Sequence, residues 1–335
     1  MAIDILNIEP SVISRDLKGK YVCIYSQPKV GKTSLACQFP KNLLIGFEHG
    51  WNALAGVKGV DILKWSDFKL VLRQLQKPEA RAMYDTITID TVAIAWQMCE
   101  DYICSQEGVQ KISEIPWGGG YAACKKEFER CLRTITQLGY GLVIIAHVDT
   151  RKEKQGSGDD APEIEILAPA IPKRCYDIVN QIVDIIGYIS IDNWDEEGNG
   201  ERWLYTRKTP TIMAGSRFKY LAPRIKFGYN ELVNAISDAI DKSEKYDGAK
   251  VVDTAAPIAV EEVLDYNQLR NEAYSLWGQL VGEGENADAE MAKRILKRVE
   301  MIFGKPMRLS EITEDQKDLF NLVILDMREL ASENR

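Results

Sequence analysis

Hydrophobic positions follow two rhythms along this chain. Over the first ~240 residues, short continuous apolar runs alternate with segments of helical spacing. Residues 21–25, 42–47, 86–90, 141–147, 182–191 and 202–208 predict strands. Several are apolar at successive rather than alternate positions, the pattern of strands buried on both faces of a parallel sheet. Between them, residues 121–138 place Phe128, Cys131, Leu132, Ile135 and Leu138 on one helical face, with Gly139 as a stop. The last two strands flank the polar run Asp195-Glu196-Glu197-Gly198-Asn199-Gly200 and predict an antiparallel hairpin. Residues 243–262 mix charge, Gly, Ala and Pro without periodicity and predict a linker. Three helices are expected beyond it. The first carries Leu269, Ala273, Leu276 and Leu280, and the second Ala292, Ile295, Val299 and Ile302 before Gly304. The third opens on Thr313-Glu314-Asp315-Gln316, a capping box, and carries Leu319, Leu322, Val323 and Leu330. The expected plan is an α/β core over 1–242, a linker over 243–262 and a helical domain over 263–335.

Composition narrows the class. The 335 residues are 45% hydrophobic and 27% charged, ordinary for a globular protein. No apolar run approaches the ~20 residues of a membrane span, and the N-terminus lacks the basic and apolar regions of a secretory signal. The seven cysteines show no C-x-x-C pair and mostly sit in apolar patterns, so they read as reduced core thiols of a cytoplasmic protein. With two histidines, His49 and His147, a His-based zinc site is not expected. The net charge of −8 is uneven: from Ser243 onward 12 Lys and Arg stand against 19 Asp and Glu, and the rest is nearly neutral. That balance excludes a strongly basic, stand-alone nucleic-acid binder, but leaves room for local basic loops and for DNA binding by an assembly.

The densest chemistry follows the first core strand. Ser26-Gln27-Pro28-Lys29-Val30-Gly31-Lys32-Thr33-Ser34 lies between an apolar strand and a helix-like run. Strand, tight loop with Gly-Lys-Thr, then helix is the layout of a phosphate-binding P-loop, in which backbone N–H groups converge on an anion. Lys32 is expected to reach the β- and γ-phosphates of a nucleoside triphosphate, and the Thr33 hydroxyl to ligate Mg²⁺. The first motif position is Ser26 rather than Gly, which predicts a slightly reshaped loop.

Three further strand ends point to the same edge. Asp90 closes the strand 86–90 and is expected to hold the Mg²⁺ through water. Glu48 follows the strand 42–47; a carboxylate there either orients or deprotonates an attacking water or caps the following helix. His147 ends a fully apolar strand, where it either senses the γ-phosphate or serves structure. Two polar loops are candidates for single-stranded DNA. One bears Lys111 beside Trp117; the other, residues 151–162, bears Arg151, Lys152 and Lys154. Phosphate contacts with aromatic stacking suit a single strand, although mixed charges also suit a solvated loop.

Together, Gly31-Lys32-Thr33, Glu48-His49, Asp90-Thr91 and the strand ending in His147 resemble the RecA-like P-loop ATPases. Within them, the closest likeness is to the small phage-encoded nucleotide-binding proteins of recombination and single-strand annealing. The resemblance covers roughly residues 18–230, and the family often carries Gln at the place of His147. It implies a mostly parallel sheet flanked by helices, with ATP held between subunits of a ring or short filament and DNA facing the central loops. It also implies that Lys208 and Arg217 supply cations to a neighbour's γ-phosphate. The function so read is a DNA-stimulated ATPase of phage recombination, annealing or replication. The alternatives are a replicative helicase or helicase loader, and a nucleotide-gated adaptor whose helical tail recruits single-strand-binding protein or an annealing protein.

Overall fold

The computed structural model describes residues 12–154, 162–197, 200–253, 265–282, 284 and 287–333. The chain divides into two compact units, residues 2–260 and 261–335. The first opens with β1 (Ile13–Ser14), β2 (Tyr21–Ser26), α1 (Lys32–Ala36), β3 (Asn42–Gly46), β4 (Gly59–Asp61), α2 (Trp65–Leu75), α3 (Pro78–Met83) and β5 (Thr86–Asp90). It continues with α4 (Val92–Glu107), α5 (Gly119–Gln137), β6 (Gly141–Lys154), β7 (Glu163–Pro169), α6 (Lys173–Ile182), β8 (Ile185–Asp192) and β9 (Glu201–Tyr205). β10 (Gly215–Ser216), β11 (Arg224–Lys226), α7 (Tyr229–Asp247) and β12 (Val251–Val252) complete it.

The main sheet has the order β11-β9-β8-β2-β6-β5-β3-β4. From β8 to β4 neighbouring strands are parallel, while β9 and β11 add an antiparallel edge. This is the expected α/β core of a P-loop NTPase, with the antiparallel hairpin at the far side. The continuous apolar runs have a plain cause. Cys23 and Tyr25 enter a core shared with α2, α4, α5 and α6, whereas Val22 and Ile24 enter a second core under α1 and α7. Alternate residues of β6 from Leu142 to Ala146 divide the same way, so this stretch and β2 are covered on both faces. β2 lies between β6 and β8, reached by chain excursions in opposite directions, and its carboxyl end is the crevice where such sheets bind ligands.

Three expectations are corrected. β6 does not stop at His147 but runs on to Lys154 and pairs with β7, so the loop expected from Arg151 begins as a strand; residues 155–161 lie outside the described residues. The segment 182–191 divides between the end of α6 and β8, because Ile182 packs as the last buried residue of an amphipathic helix. The linker expected from residue 243 is, up to residue 252, the last turn of α7 and strand β12. That strand pairs with β1, while Arg15 bonds Asp241, Glu244 and Asp253. The rest of that linker that lies in 254–262 falls outside the described residues.

The second unit holds α8 (Tyr266–Leu280), α9 (Ala289–Phe303) and α10 (Lys317–Glu333) around their own core. Helix α10 buries Val323 and Leu330 as expected, but not Leu319 and Leu322. Phe320, Val323, Ile324, Met327 and Leu330 are buried, while Leu319 and Leu322 are exposed. The aromatic contact between Phe320 and Tyr266, with ring centres 6.2 Å apart, fits that phase. All seven cysteines are free thiols, and burial alone pushes Cys23 up to about 12. Among the described residues no helix is long and apolar enough to cross a membrane.

Candidate functional site

The carboxyl ends of β2, β3, β5 and β6 meet at one edge. Their register is fixed: Ser26 lies opposite His147, and Asp90 opposite both Gly46 and Ile145. Every candidate on these strands therefore arrives at the same place.

From Ser26 the chain turns through Gln27, Pro28, Lys29 and Val30 to Gly31 and enters α1 at Lys32. Positive φ falls on Lys29 and Gly31, not on Ser26, which stays in the strand. The absence of glycine at the first motif position thus costs no backbone strain. Ser26 instead contributes its hydroxyl. Lys32 Nζ donates to Ser26 Oγ (3.1 Å), Ser26 O (3.2 Å) and Gln27 O (2.8 Å), which folds the amine into its own loop. Lys32 is buried, and burial lowers its pKa against the opposing pull of Asp90 and Glu48.

Thr33 Oγ1 donates to Asp90 Oδ2 at 2.7 Å. Burial raises the Asp90 pKa; the Thr33 hydrogen bond pulls it down, Glu48 adds to the rise, and Lys32 and His147 oppose it. Adjacent hydroxyl and carboxylate oxygens are the hard donors that Mg²⁺ prefers, and this pair fits that ion.

Phe47 N and Glu48 N both donate to Asp90 O, which pins the turn after β3 to the end of β5. Glu48 Oε1 accepts from Thr91 Oγ1 at 2.6 Å, and Oε2 lies 3.4 Å from His147 Nε2. The alternative of Glu48 as a helix cap is not what the chain builds: α2 begins at Trp65 with Lys64 as its N-cap residue. His49, beside it, faces Asp61 at 3.2 Å. The other His147 ring nitrogen, Nδ1, is buried without a hydrogen-bond partner. Lys32, Thr33, Asp90, Glu48, Thr91 and His147 therefore form one cluster of contacts and mutual fields. Such a cluster can hold an anion, neutralise it and orient a water beside it.

The remaining candidates are scattered. Arg217 donates to Ile182 O and Asp184 Oδ1, both at 3.2 Å, and to Gln181 O. Asp184 also binds the amino end of β2 through Tyr21 N, which sets Arg217 at the sheet edge away from the P-loop. Lys208 instead pairs with Glu153 at 3.6 Å, on β6 beyond the carboxyl edge. The structure does not bring these two cations together. Arg151 is half-buried: its guanidinium donates to Pro169 O and Ile171 O and lies over the Tyr176 ring. Lys152 and Lys154 are exposed on the same strand, and Lys111 is exposed after α4. Trp117 is fully exposed on a left-handed backbone, φ 60°, within the short helical turn that precedes α5.

One residue beside the loop escapes motif reading. Arg202 Nη1 donates to Val30 O at 3.1 Å. The strand pattern held a clue, since Arg202 alternates with Leu204, which is buried on the α1 face of the sheet.

Residues 18–218 match the family model of the AAA domain. Over 342 aligned residues the chain is 29% identical to the SPbeta prophage-derived uncharacterized protein YorG of Bacillus subtilis (strain 168), spanning 99% of this chain and all of that protein.

Proposed function

The chain belongs to the AAA domain family, and from that premise we propose that it hydrolyses ATP and acts on single-stranded DNA in phage recombination, annealing or replication. The observation that carries the ATPase part is the convergence of Lys32, Thr33–Asp90 and Glu48–Thr91–His147 on one sheet edge. The full-length likeness to a prophage-derived protein supports the phage setting.

In this reading Lys32 leaves its loop oxygens for the β- and γ-phosphates, exchanging neutral acceptors for anionic ones that bind its ammonium more strongly. Thr33 would ligate Mg²⁺ and Asp90 would hold it through water, and the ion would neutralise charge on the phosphates. Glu48, fixed by Thr91 and flanked by His147, orients and deprotonates the attacking water. His147 reports the state of the γ-phosphate along β6 to the β6–β7 hairpin.

Support for DNA is of a different kind. The exposed Trp117 with Lys111, and Lys152 and Lys154 on the hairpin, offer a stacking platform and phosphate contacts. ATP then lies between subunits of a ring or short filament, with Lys208 as the neighbour's cation. Arg217, bonded to its own chain, serves structure.

The test is ATP turnover with and without single-stranded DNA across a salt series. Turnover is expected to rise with DNA and the rise to weaken with salt, as phosphate contacts require. Glu48→Gln is expected to keep nucleotide affinity and slow hydrolysis by roughly a hundredfold or more. Equal loss of binding would assign Glu48 to structure. Intact binding with negligible turnover of the unaltered chain would select the adaptor reading, and duplex unwinding the helicase.

A further inference from the structure

Outside the P-loop, the Arg202 guanidinium on β9 lies against the loop and has no task in the reading above. It is held in place twice. Nη1 donates to Val30 O, and the group lies over the Phe227 ring, 4.9 Å from its centre. Phe227 N in turn donates to Arg202 O at 3.0 Å, so one backbone pair fixes both ring and guanidinium.

Gly31 lies directly beneath them. A Cβ at Gly31 would stand 3.0 Å from Arg202 Nη1 and 3.4 Å from Phe227, and its φ of 108° favours glycine in any case. The cation therefore rests on the loop itself, one residue from Lys32. An arginine on β11 behaves differently: Arg224, opposite Tyr205, is paired with Asp192 at 2.6 Å. Among the described residues no carboxylate pairs with Arg202, and of its five N–H donors the structure assigns one. An exposed guanidinium stacked on an aromatic ring loses little side-chain freedom when it gains a partner. Its planar fork matches two phosphate oxygens at once.

We propose that Arg202 binds the polyphosphate chain of the nucleotide in cis, reaching it from outside the P-loop while Phe227 holds the guanidinium in position. This rests on the reading of the P-loop as the nucleotide site. It adds a cation from the antiparallel edge of the sheet to those of the loop, and makes β9 a contributor to nucleotide affinity. A fixed cation beside the polyphosphate attracts bound nucleotide more strongly as phosphates are added.

The experiment measures binding of AMP, ADP and ATP carrying a fluorescent ribose label to the full chain and to three variants. Arg202→Gln keeps a donor for Val30 O and most of the stem, so it separates the charge from the packing. It is expected to weaken ATP roughly tenfold or more, ADP less and AMP least, with the salt dependence of binding reduced. Arg202→Lys should recover part of the ATP affinity. Lys32→Ala is the reference for the loop. ATP affinity of Arg202→Gln within twofold of the unaltered chain, while Lys32→Ala loses binding, overturns the role of Arg202 and leaves the P-loop reading standing. A uniform loss across the three nucleotides also overturns it, since packing alone would produce that. Failure of the unaltered chain to bind any of them overturns both.

Discussion

The two units finish their helices in opposite ways. In the helical unit Asp265 accepts from Asn267 N and Gln268 N, Asp288 accepts from Glu290 N and Met291 N, and Thr313 donates through N and Oγ1 to Gln316 Oε1 ahead of α10. In the core none of α1 to α7 has its first turn capped by a side chain. Thr91 makes the contrast sharpest. It stands at the N-cap position of α4 and is a residue type suited to capping, yet its hydroxyl goes to Glu48. At the same edge Lys32 and Asp90 are buried with pKa values pushed towards their neutral forms. The helical unit uses side chains to close helix starts, whereas at the P-loop edge Thr91 is turned to Glu48 and Lys32 and Asp90 are buried beside it. Stability and readiness to bind are thus assigned to different parts of the chain.

The largest effect should come from Lys32→Ala. Nucleotide affinity is expected to fall by roughly two orders of magnitude, since a charge-assisted contact in a desolvated cradle is lost. Calorimetric titration checks this, and undiminished affinity would remove the P-loop from the site. Next, nucleotide with Mg²⁺ should stabilise the core by about 2.7 kcal/mol at a hundred times its dissociation constant. A thermal melt following both units should show the core transition move and the helical one stay. Smaller still, Asp265→Ala and Asp288→Ala should each cost about 0.5–2 kcal/mol, visible in the helical transition and absent from nucleotide binding. A loss of nucleotide affinity in either would erase the contrast between the units.

Acidity offers a finer probe. Asp90 is raised by burial above its ordinary value, so its contribution favours the folded chain at low pH and is lost as pH rises through the raised value. Lys32 is lowered by burial, so its contribution is lost as pH falls through the depressed value. At neutral pH both charges weigh against the nucleotide-free core. Asp90→Asn should therefore gain in melting temperature relative to the unaltered chain at pH 7, and gain less near pH 4.

What was legible in the chain depended on how local the information is. The P-loop, Glu48, Asp90 and His147 were readable because each follows an apolar strand, and a parallel sheet carries all such ends to one edge. The Ser26 hydroxyl under Lys32, the Thr91–Glu48 bond and Arg202 over Gly31 were not, because each depends on which side chain meets which across the fold. Lys208 and Arg217 are close in sequence yet end at different places, since β10 returns Arg217 to the start of β8. Leu319 and Leu322 mislead for a related reason: in a helix with apolar residues on more than one side, packing selects the buried face.

The structure also moves the boundary at which the core can be separated. A cut near Asp241 would remove β12, the Glu244 and Asp253 partners of Arg15, and the Asp247 carboxylate that Lys219 and Tyr220 share. A shortened chain that respects the core must extend past Asp253.

The pairing of β1 with β12 has one more consequence. Ile13 lies beside Val251 and Ser14 beside Val252, so the described core begins and finishes at one spot. Loop-closure entropy grows only with the logarithm of length, so fastening so long a stretch of chain costs little more than fastening a short one. The core is in effect a ring with a seam. It is therefore suited to circular permutation: residues 12 and 253 joined by a short bridge, and new termini opened in the exposed turn after β8.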